Sequence, residues 1–407
     1  MKARLLFITL FLCYFLLSCQ NVLADTWITT NSSTLDFLRI QNLDEDLTPT
    51  DYILGNYISA IRLSESGAEK LAFILKSQSA QLGGFIVHSS YEEAQKAMYE
   101  AEQKIWSDYV SIIPYTIDQD KIVTPLIAQV NEADITATIA KLSSYETRYH
   151  KSDSGKESQL WLADYWGSLT KGRKDISIEV VTHKKTPQPS IILTVSGTKY
   201  PNEIVVVGGH GDSMPGGIWG RMGSGPAPGA DDNASGIATI TEVIRLIVAN
   251  DLTPNRTIKF ISYAAEEVGL VGSGEIASNY KKNKQNVIGA LQLDMVNYRG
   301  SALEMYLVND YTSSAQNNFL GKLIDYYLKF TWGTIKCGYG CSDHASWNAA
   351  GFPASVPFES TMDEYNPNIH SKKDTLDVTN GHSYNAVKFA KLALAYTIEL
   401  AKFNFSR

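Results

Sequence analysis

Short apolar runs alternate with longer amphipathic segments along the C-terminal two thirds of the chain. Five of these runs have the length and the β-branched content of buried strands: SIILTVSG, EIVVVGGH, TIKFISYAA, ALQLDMV and EMYLV. The segments between and after them, such as residues 236–250 and 383–403, place apolar residues at helical spacing. Strands that alternate with helices predict an α/β fold, a three-layer domain in which helices flank a mixed, mostly parallel β-sheet.

Residues 1–24 form a distinct segment at the N-terminus. Two early positive charges precede a long apolar run, and the sequence VLA offers a small-residue cleavage site after Ala24. This pattern is typical of a secretory signal peptide, with lipidation at Cys19 as the less favoured alternative. No comparable apolar run follows, so we expect a secreted protein without a transmembrane segment.

Charge is distributed unevenly along the chain. Residues 25–120 carry 15 acidic and 6 basic side chains, whereas from Lys121 onward there are 28 of each. The acidic part, with two helix-like segments and one strand-like run, predicts a small α+β unit at residues 25–123. An accessory domain and a pro-segment that is later removed both fit this unit. We expect a linker at residues 113–130 and a main domain at residues 124–407. The sequence lacks the basic patch that would indicate nucleic-acid binding.

Imidazole and carboxylate groups mark the ends of three predicted strands. The five groups are His210, Asp212, Glu266, Glu267 and Asp294. Sheets of this kind bind ligands beyond the carboxyl ends of their strands. One such residue alone would more often be structural, by roughly four to one. Several carboxylates at one edge repel each other and resist burial, and a bound cation removes that conflict. The sequence therefore predicts a metal site at this edge.

Two further stretches offer candidate ligands. In SGPAPGADDNASG, Asp231, Asp232 and Asn233 precede a helix, and one of them could simply cap it. In NPNIHSKKDT, His370 lies in a polar turn, where a titrating surface histidine is the alternative. Histidines and carboxylates without thiolates suit zinc, manganese or cobalt better than calcium. The carboxylates are too many for one tetrahedral zinc, so a two-metal site with one shared carboxylate uses them economically.

Six motifs follow one another along roughly residues 125–400: GGHGDS, PGADDNASG, YAAEEVGL, LQLDM, CGYGCSDHASW and PFES…YNPNIHSKKDTL. Together they closely resemble the secreted bacterial leucyl aminopeptidases, a family of two-zinc exopeptidases. The resemblance implies a zinc exopeptidase fold and makes residues 124–407 the catalytic domain. It also favours the pro-segment interpretation of residues 25–123. The implied reaction is hydrolysis of the N-terminal peptide bond by a metal-bridging water.

The resemblance implies a role for individual residues. His210, Asp232 and Asp294 should hold one Zn²⁺, whereas Asp232, Glu267 and His370 should hold a second, with a cis peptide bond after Asp232. Asp232 would thus bridge two zinc ions per chain.

Three other residues have implied roles around these ligands. Asp212 should hydrogen-bond the ring of His210 and fix its tautomer. Glu266 should act as the general base, and Tyr339 should stabilise the developing oxyanion. Cys337 and Cys341 flank Tyr339, and two cysteines four residues apart in an exported chain predict a short disulfide loop.

A hydrophobic pocket for the N-terminal side chain of a peptide is also implied. The matching positions are Met295, Cys341, Phe358, Met362, Tyr365 and Ile369. They include no acidic residue, so we expect leucine-like residues to be preferred over lysine or arginine. The expected partners are peptides with a free N-terminus, and we expect a monomer. A single-zinc glutaminyl cyclase and a non-catalytic binding protein are alternatives that the complete ligand sets argue against. A carboxypeptidase would share the metals but needs a cluster of basic residues to hold the substrate carboxylate, and the candidates here are only Arg221 and Arg299.

Overall fold

The structure is a computed structural model, and it describes residues 25–32, 34–35, 38, 45–55, 58–78, 84–104, 115–215 and 225–404. The predicted signal peptide lies outside these ranges. None of the helices described is long and apolar enough to cross a membrane.

In the N-terminal unit, residues 25–104, the described part of the chain forms one antiparallel sheet and includes two longer α-helices. Its elements are β1 (Asp25–Asn31), β2 (Asp51–Ile53), β3 (Ile58–Ser64), α1 (Glu65–Gln78), β4 (Phe85–His88) and α2 (Tyr91–Lys104). The strand order is β2-β3-β1-β4. Only β4 and the two helices were foreseen from the sequence. β1 and β3 are almost fully buried, so neither has the polar–apolar alternation of a strand with one exposed face.

The main domain contains eleven further strands in the described part of the chain. They are β5 (Ile176–Val181), β6 (Ser190–Val195), β7 (Tyr200–His210), β8 (Thr253–Pro254), β9 (Arg256–Tyr263), β10 (Asn286–Gln292), β11 (Met305–Val308), β12 (Trp332–Ile335), β13 (Ala354–Ser355), β14 (Pro357–Phe358) and β15 (Phe403–Asn404). Six of them form the central sheet in the order β13-β10-β7-β9-β6-β5. The first four run parallel to one another, and β6 runs antiparallel to both of its neighbours, β9 and β5. The predicted mixed, mostly parallel sheet is confirmed.

Helices cover both faces of this sheet, which confirms the three-layer prediction. They are α3 (Asp120–Ile127), α4 (Glu132–Ser143), α5 (Asp153–Leu169), α6 (Gly236–Ala249), α7 (Val271–Lys282), α8 (Ser314–Leu323), α9 (His344–Ala350) and α10 (Tyr384–Ala401). Strand β7 shows the two-sided burial directly. Val205 and Val207 face a core that includes α6 and α10, whereas Ile204 and Val206 face the core under α7 and α9.

The chain between the two units contains a packed helix. The predicted linker at residues 113–130 contains helix α3, in which Ile122, Val123 and Leu126 are buried in the main core. The sequence did not predict this helix because it contains Pro125, and proline normally interrupts a helix. Burial of the apolar face offsets the hydrogen bond that proline cannot donate. The predicted boundary between residues 123 and 124 therefore lies within a packed helix.

The N-terminal unit packs against the segment that follows β9. Its apolar residues share one core cluster with Ala264, Ala265, Val268 and Val271 of the main domain. The backbone N–H of Val87 in β4 also donates to the carbonyl of Gly269 at 3.2 Å. The unit thus contacts the chain immediately beyond the paired glutamates.

Candidate metal centre

The predicted ligands meet at the carboxyl ends of three neighbouring parallel strands. β10, β7 and β9 are adjacent, and the register pairs His210, the last residue of β7, with Tyr263, the last residue of β9. Asp294 follows β10 by two residues, and Glu267 follows β9 by four. All three ligand side chains are at least nine-tenths buried. Strand order therefore concentrates donor groups from distant parts of the sequence at one edge.

Asp232 lies between two histidines and presents a different oxygen to each. Its Oδ1 is 3.0 Å from Nε2 of His210, and its Oδ2 is 2.8 Å from Nε2 of His370. Asp294 Oδ1 lies 3.3 Å from the His210 nitrogen, and Glu267 Oε2 lies 3.2 Å from the His370 nitrogen. Two three-residue groups result, with Asp232 common to both. The peptide bond from Asp232 to Asn233 is cis.

Both groups have the donor set of a transition-metal site. In each group, one imidazole nitrogen and two carboxylate oxygens lie within 4.8 Å of one another, and nearly all are buried. Imidazole and carboxylate without thiolate suit zinc and related ions. Without a cation, burial acts to lower the pKa of His210, but Asp294 and Glu266 outweigh it and raise that pKa well above its usual value. The site therefore attracts positive charge, which a metal ion would supply.

Asp212 joins two of these strands' ends through one carboxylate. Nδ1 of His210, the ring nitrogen that faces away from the ligand groups, lies 3.2 Å from the backbone carbonyl oxygen of Asp212 and 3.3 Å from its Oδ1. The two carboxylate oxygens of Asp212 also accept the backbone N–H groups of Glu266 at 3.0 Å and of Glu267 at 3.1 Å. Such a contact fixes the imidazole orientation and tautomer. The same carboxylate holds the backbone of the glutamate pair, a connection that the sequence did not indicate.

The two glutamates do not continue strand β9. The strand ends at Tyr263, Ala265 has a positive φ of 54°, and a turn follows in which the N–H of Leu270 donates to the carbonyl of Glu266. Alternation of side chains along an extended strand therefore cannot orient the two glutamates. The turn and its anchor on Asp212 orient them instead. Glu266 is 3% exposed, and its charge acts on both His210 and Tyr339.

A second group of buried carboxylates supports the bridging residue from behind. Asp374 accepts the backbone N–H of Asp231 at 3.1 Å and that of Asp232 at 3.0 Å. Glu359 hydrogen-bonds Asp231 and also accepts the N–H of Tyr298 at 2.7 Å. Burial, with the charge of Asp231, raises the pKa of Asp374 to about 8. The motif HSKKDT contained Asp374, but nothing in its spacing distinguished it from an exposed aspartate.

Arg148 is the buried cation behind the centre, and sequence reasoning missed it. Its guanidinium is 1% exposed and donates to the carbonyl oxygens of Gly211 at 3.0 Å, Gly229 at 2.9 Å, Leu142 at 3.3 Å, and also Pro228. Burial lowers its pKa, while the charges of four carboxylates act in the opposite direction. Arg148 thus ties the loop after His210 to the loop before Asp232.

The predicted pocket residues form one apolar cluster beside the ligands. Its members are Met295, Val308, Tyr339, Cys341, Val356, Phe358 and Tyr365, with Ile335, Cys337, Met362 and Ile369 at its margin. A disulfide joins Cys337 to Cys341 and encloses Tyr339 in a short loop. The buried hydroxyl of Tyr339 has no hydrogen-bond partner within the described ranges. Burial, with nearby negative charges, raises the pKa of Tyr339 far above its usual value, so the phenol remains a donor.

An α/β sheet with two ligand groups that share a carboxylate at its strand ends is typical of metal-dependent hydrolases. Comparison with known proteins gives the family. Residues 190–395 match Peptidase family M28, and the chain belongs to that family.

Named relatives agree with this assignment. The chain is 37% identical over 300 residues to a probable aminopeptidase, YDR415C, of Saccharomyces cerevisiae, covering 72% of this chain and 79% of the yeast protein. It is 36% identical over 303 residues to leucine aminopeptidase 1 of Arthroderma otae, covering 71% and 79%. The crystal structure of the LapA aminopeptidase of Legionella pneumophila matches with a TM-score of 0.75 and 28% identity, over 93% of this chain and 98% of LapA. A match of that extent reaches into the N-terminal unit.

Proposed function

We propose that this protein is a secreted, zinc-dependent aminopeptidase that removes hydrophobic, leucine-like residues from the N-termini of peptides. The observation that carries the proposal is the position of Asp232, whose two oxygens face two histidines in separate ligand groups. That arrangement supports two Zn²⁺ per chain, with His210 and Asp294 on one and Glu267 and His370 on the other. Bound zinc would polarise the scissile carbonyl and lower the pKa of the attacking water.

Two residues of this chain would move or hold protons during the reaction. Glu266 takes a proton from the attacking water and returns it to the leaving amine, as a general base that becomes a general acid. Its burial and the electrostatic effect of its carboxylate on His210 and Tyr339 support this role. Tyr339 stays protonated and donates a hydrogen bond to the oxygen that becomes negative. Its hydroxyl, buried without a partner among the described residues, is available for that bond.

The apolar cluster beside the ligands supports the proposed side-chain preference. Met295, Phe358 and Met362 provide flexible or aromatic surface, and no acidic residue belongs to the cluster. A leucine-like side chain buries its surface there, whereas a lysine would lose hydration without gaining a charged partner. The relatives from Saccharomyces cerevisiae and Arthroderma otae, both named as aminopeptidases, support the same reaction class.

The N-terminal unit bears on how the secreted protein is processed. We propose that it folds together with the main domain and that any later cleavage falls before Tyr115. Tyr115 packs against the main core, and the N–H groups of Asp118 and Gln119 donate to Glu399 at 2.9 Å each. Intact-mass measurement of the secreted protein tests this proposal. A mature N-terminus between residues 120 and 127 would contradict it.

A panel of aminoacyl p-nitroanilides, assayed with and without a zinc chelator, tests the proposed function. Leucine and related substrates should be cleaved faster than lysine or arginine substrates, and N-acetyl-leucine p-nitroanilide should not be cleaved. Chelation should abolish turnover, and added zinc should restore it. Cleavage of the N-acetylated substrate, or full activity after complete metal removal, would exclude a metallo-aminopeptidase.

A further inference from the structure

Asp310 anchors the disulfide loop that contains Tyr339. One carboxylate oxygen accepts the backbone N–H of Cys337 at 3.0 Å, and the other accepts that of Gly338 at 2.6 Å. The parallel pairing of β11 with β12 explains this contact. The register sets Val308 opposite Ile335, and the N–H of Asn309 donates to the carbonyl of Ile335. Asp310 therefore extends the pairing with a side chain where the backbone ladder stops.

The anchored amides immediately precede the tyrosine. Gly338 has a positive φ of 85°, the chain bends there, and Tyr339 follows directly. The disulfide to Cys341 closes the loop on the other side. Asp310 and the disulfide thus restrain the loop from both ends. The ring of Tyr339 is 3% exposed within the pocket cluster, so a shift of the loop would move its hydroxyl relative to Glu266 and Asp294.

We propose that Asp310 is a positioning residue that sets the place of the Tyr339 hydroxyl during catalysis. This inference rests on the proposed aminopeptidase function. Asp310 belongs to neither ligand group, and its carboxylate oxygens are both engaged by loop amides. Its effect on the reaction therefore passes through the loop. An asparagine would lose one acceptor and set an amide N–H against another N–H, which leaves a loop amide unsatisfied.

A double-mutant cycle tests this connection on leucine p-nitroanilide. Tyr339→Phe should lower kcat on the order of 100-fold, as for loss of an oxyanion donor. Asp310→Asn should lower kcat on the order of 10-fold with KM nearly unchanged, because only a transition-state contact is misplaced. In the Tyr339→Phe background, Asp310→Asn should lower kcat by less than about twofold. Equal effects in both backgrounds, or a raised KM with unchanged kcat, would overturn the proposal.

A matched control separates positioning from general stability. Glu399 is also buried and also accepts two consecutive backbone N–H groups, those of Asp118 and Gln119, but at the opposite edge of the sheet. Glu399→Gln makes the same chemical change as Asp310→Asn. It should lower the Tm without changing kcat by more than about twofold. An equal loss of kcat in Glu399→Gln would show that the Asp310 effect reflects stability alone.

A second readout does not require turnover. Hydrogen exchange of peptides covering residues 336–341 should accelerate several-fold in Asp310→Asn while exchange over β7 and β9 stays unchanged. Asp310→Glu, which retains the charge, should show a smaller acceleration and serves if the asparagine variant does not fold. Unchanged exchange in this loop would overturn the proposal. A wild-type protein inactive on every aminoacyl substrate would instead overturn the proposed function, and exchange would still show whether Asp310 holds the loop.

Discussion

Buried carboxylates have different partners at the two edges of the central sheet: the ligand edge, at the carboxyl ends of its parallel strands, and the opposite edge, at their amino ends. At the edge opposite the ligands, two buried or half-buried carboxylates each meet a cation: Glu203 pairs with Arg256 at 2.5 Å, and Glu399 pairs with Lys402 at 3.2 Å. At the ligand edge, the carboxylates of the described residues outnumber the cations, and Arg148 donates its side-chain hydrogen bonds to carbonyl oxygens rather than to carboxylates. One edge is balanced by its own side chains, and the other is not.

That difference indicates that the carboxylates of the opposite edge contribute to stability, whereas those of the ligand edge serve function. Burial, together with the charges around them, raises the pKa of Asp231 to about 6 and that of Asp343 to about 7, so charge at the ligand edge is held unfavourably. A sequence selected for stability alone would pair or replace such groups. Bound cations would balance the ligand edge as Arg256 and Lys402 balance the other. The comparison predicts that substitutions at the ligand edge change chemistry, whereas those at the opposite edge change stability.

The largest expected effect comes from Glu266→Gln. The change keeps the shape of the side chain but removes the base, so kcat should fall on the order of 10²–10⁴-fold. Because Glu266 belongs to neither ligand group, zinc content and Tm should stay close to those of the wild type. Steady-state kinetics and elemental analysis check both statements. Near-normal turnover would assign the base to another residue.

Glu267→Ala should remove metal rather than only chemistry. The variant lacks one of three donors in the group that contains His370, and the purified protein should contain about one zinc instead of two. Glu266→Gln is the matched control, since it alters the neighbouring carboxylate without removing a proposed ligand. Elemental analysis after dialysis decides the matter. An unchanged stoichiometry of two would contradict the ligand role of Glu267.

The ligand edge was predictable because each proposed ligand follows a recognisable strand or lies in a short motif. The supporting residues were not, since their roles depend on partners distant in sequence. Asp374 accepts N–H groups from residues more than 140 positions away, and Arg148 reaches a carbonyl 81 positions away. Asp310 acts through the loop that follows β12, a strand that the sequence did not reveal. Neither β12 nor the edge strand β5 has a continuous buried pattern.

A smaller effect, on stability alone, is expected at the opposite edge. Glu399→Gln replaces a buried acceptor of two N–H groups, which also accepts from the Tyr327 hydroxyl and pairs with Lys402, with a neutral amide that can satisfy only one of the N–H groups well. The free energy of unfolding should fall by about 1–3 kcal/mol, the range for a buried unsatisfied polar group. Urea unfolding measures the change, and zinc content should stay the same. Loss of zinc in this variant would remove the distinction between the two edges.

The smallest expected effect concerns the N-terminal unit. The stability that its buried histidine contributes should change with pH in the direction opposite to that of the ligand-edge carboxylates. His88 is buried and contacts Thr29 at 2.8 Å, and burial lowers its pKa to about 4. Below pH 6.5 the unfolded chain binds a proton that the folded protein does not, so stability falls as pH drops from 6.5 towards 4. Asp374 has the opposite effect, because its pKa in the folded protein is raised to about 8. In the metal-free protein, its contribution to stability therefore falls as pH rises from about 4 towards 8.

For His88 the difference amounts to about 2 kcal/mol at pH 5, from 1.36 kcal/mol per pH unit. His88→Gln keeps a hydrogen-bonding partner for Thr29 and removes the titrating group. The loss of unfolding free energy between pH 7 and pH 5, measured by urea titration of the zinc-loaded protein, should therefore shrink by about 2 kcal/mol in the variant. His150, whose pKa is also lowered to about 4 by burial, should maintain part of the slope. An identical pH 7 to pH 5 loss in both proteins would mean that the acid sensitivity arises in the main domain.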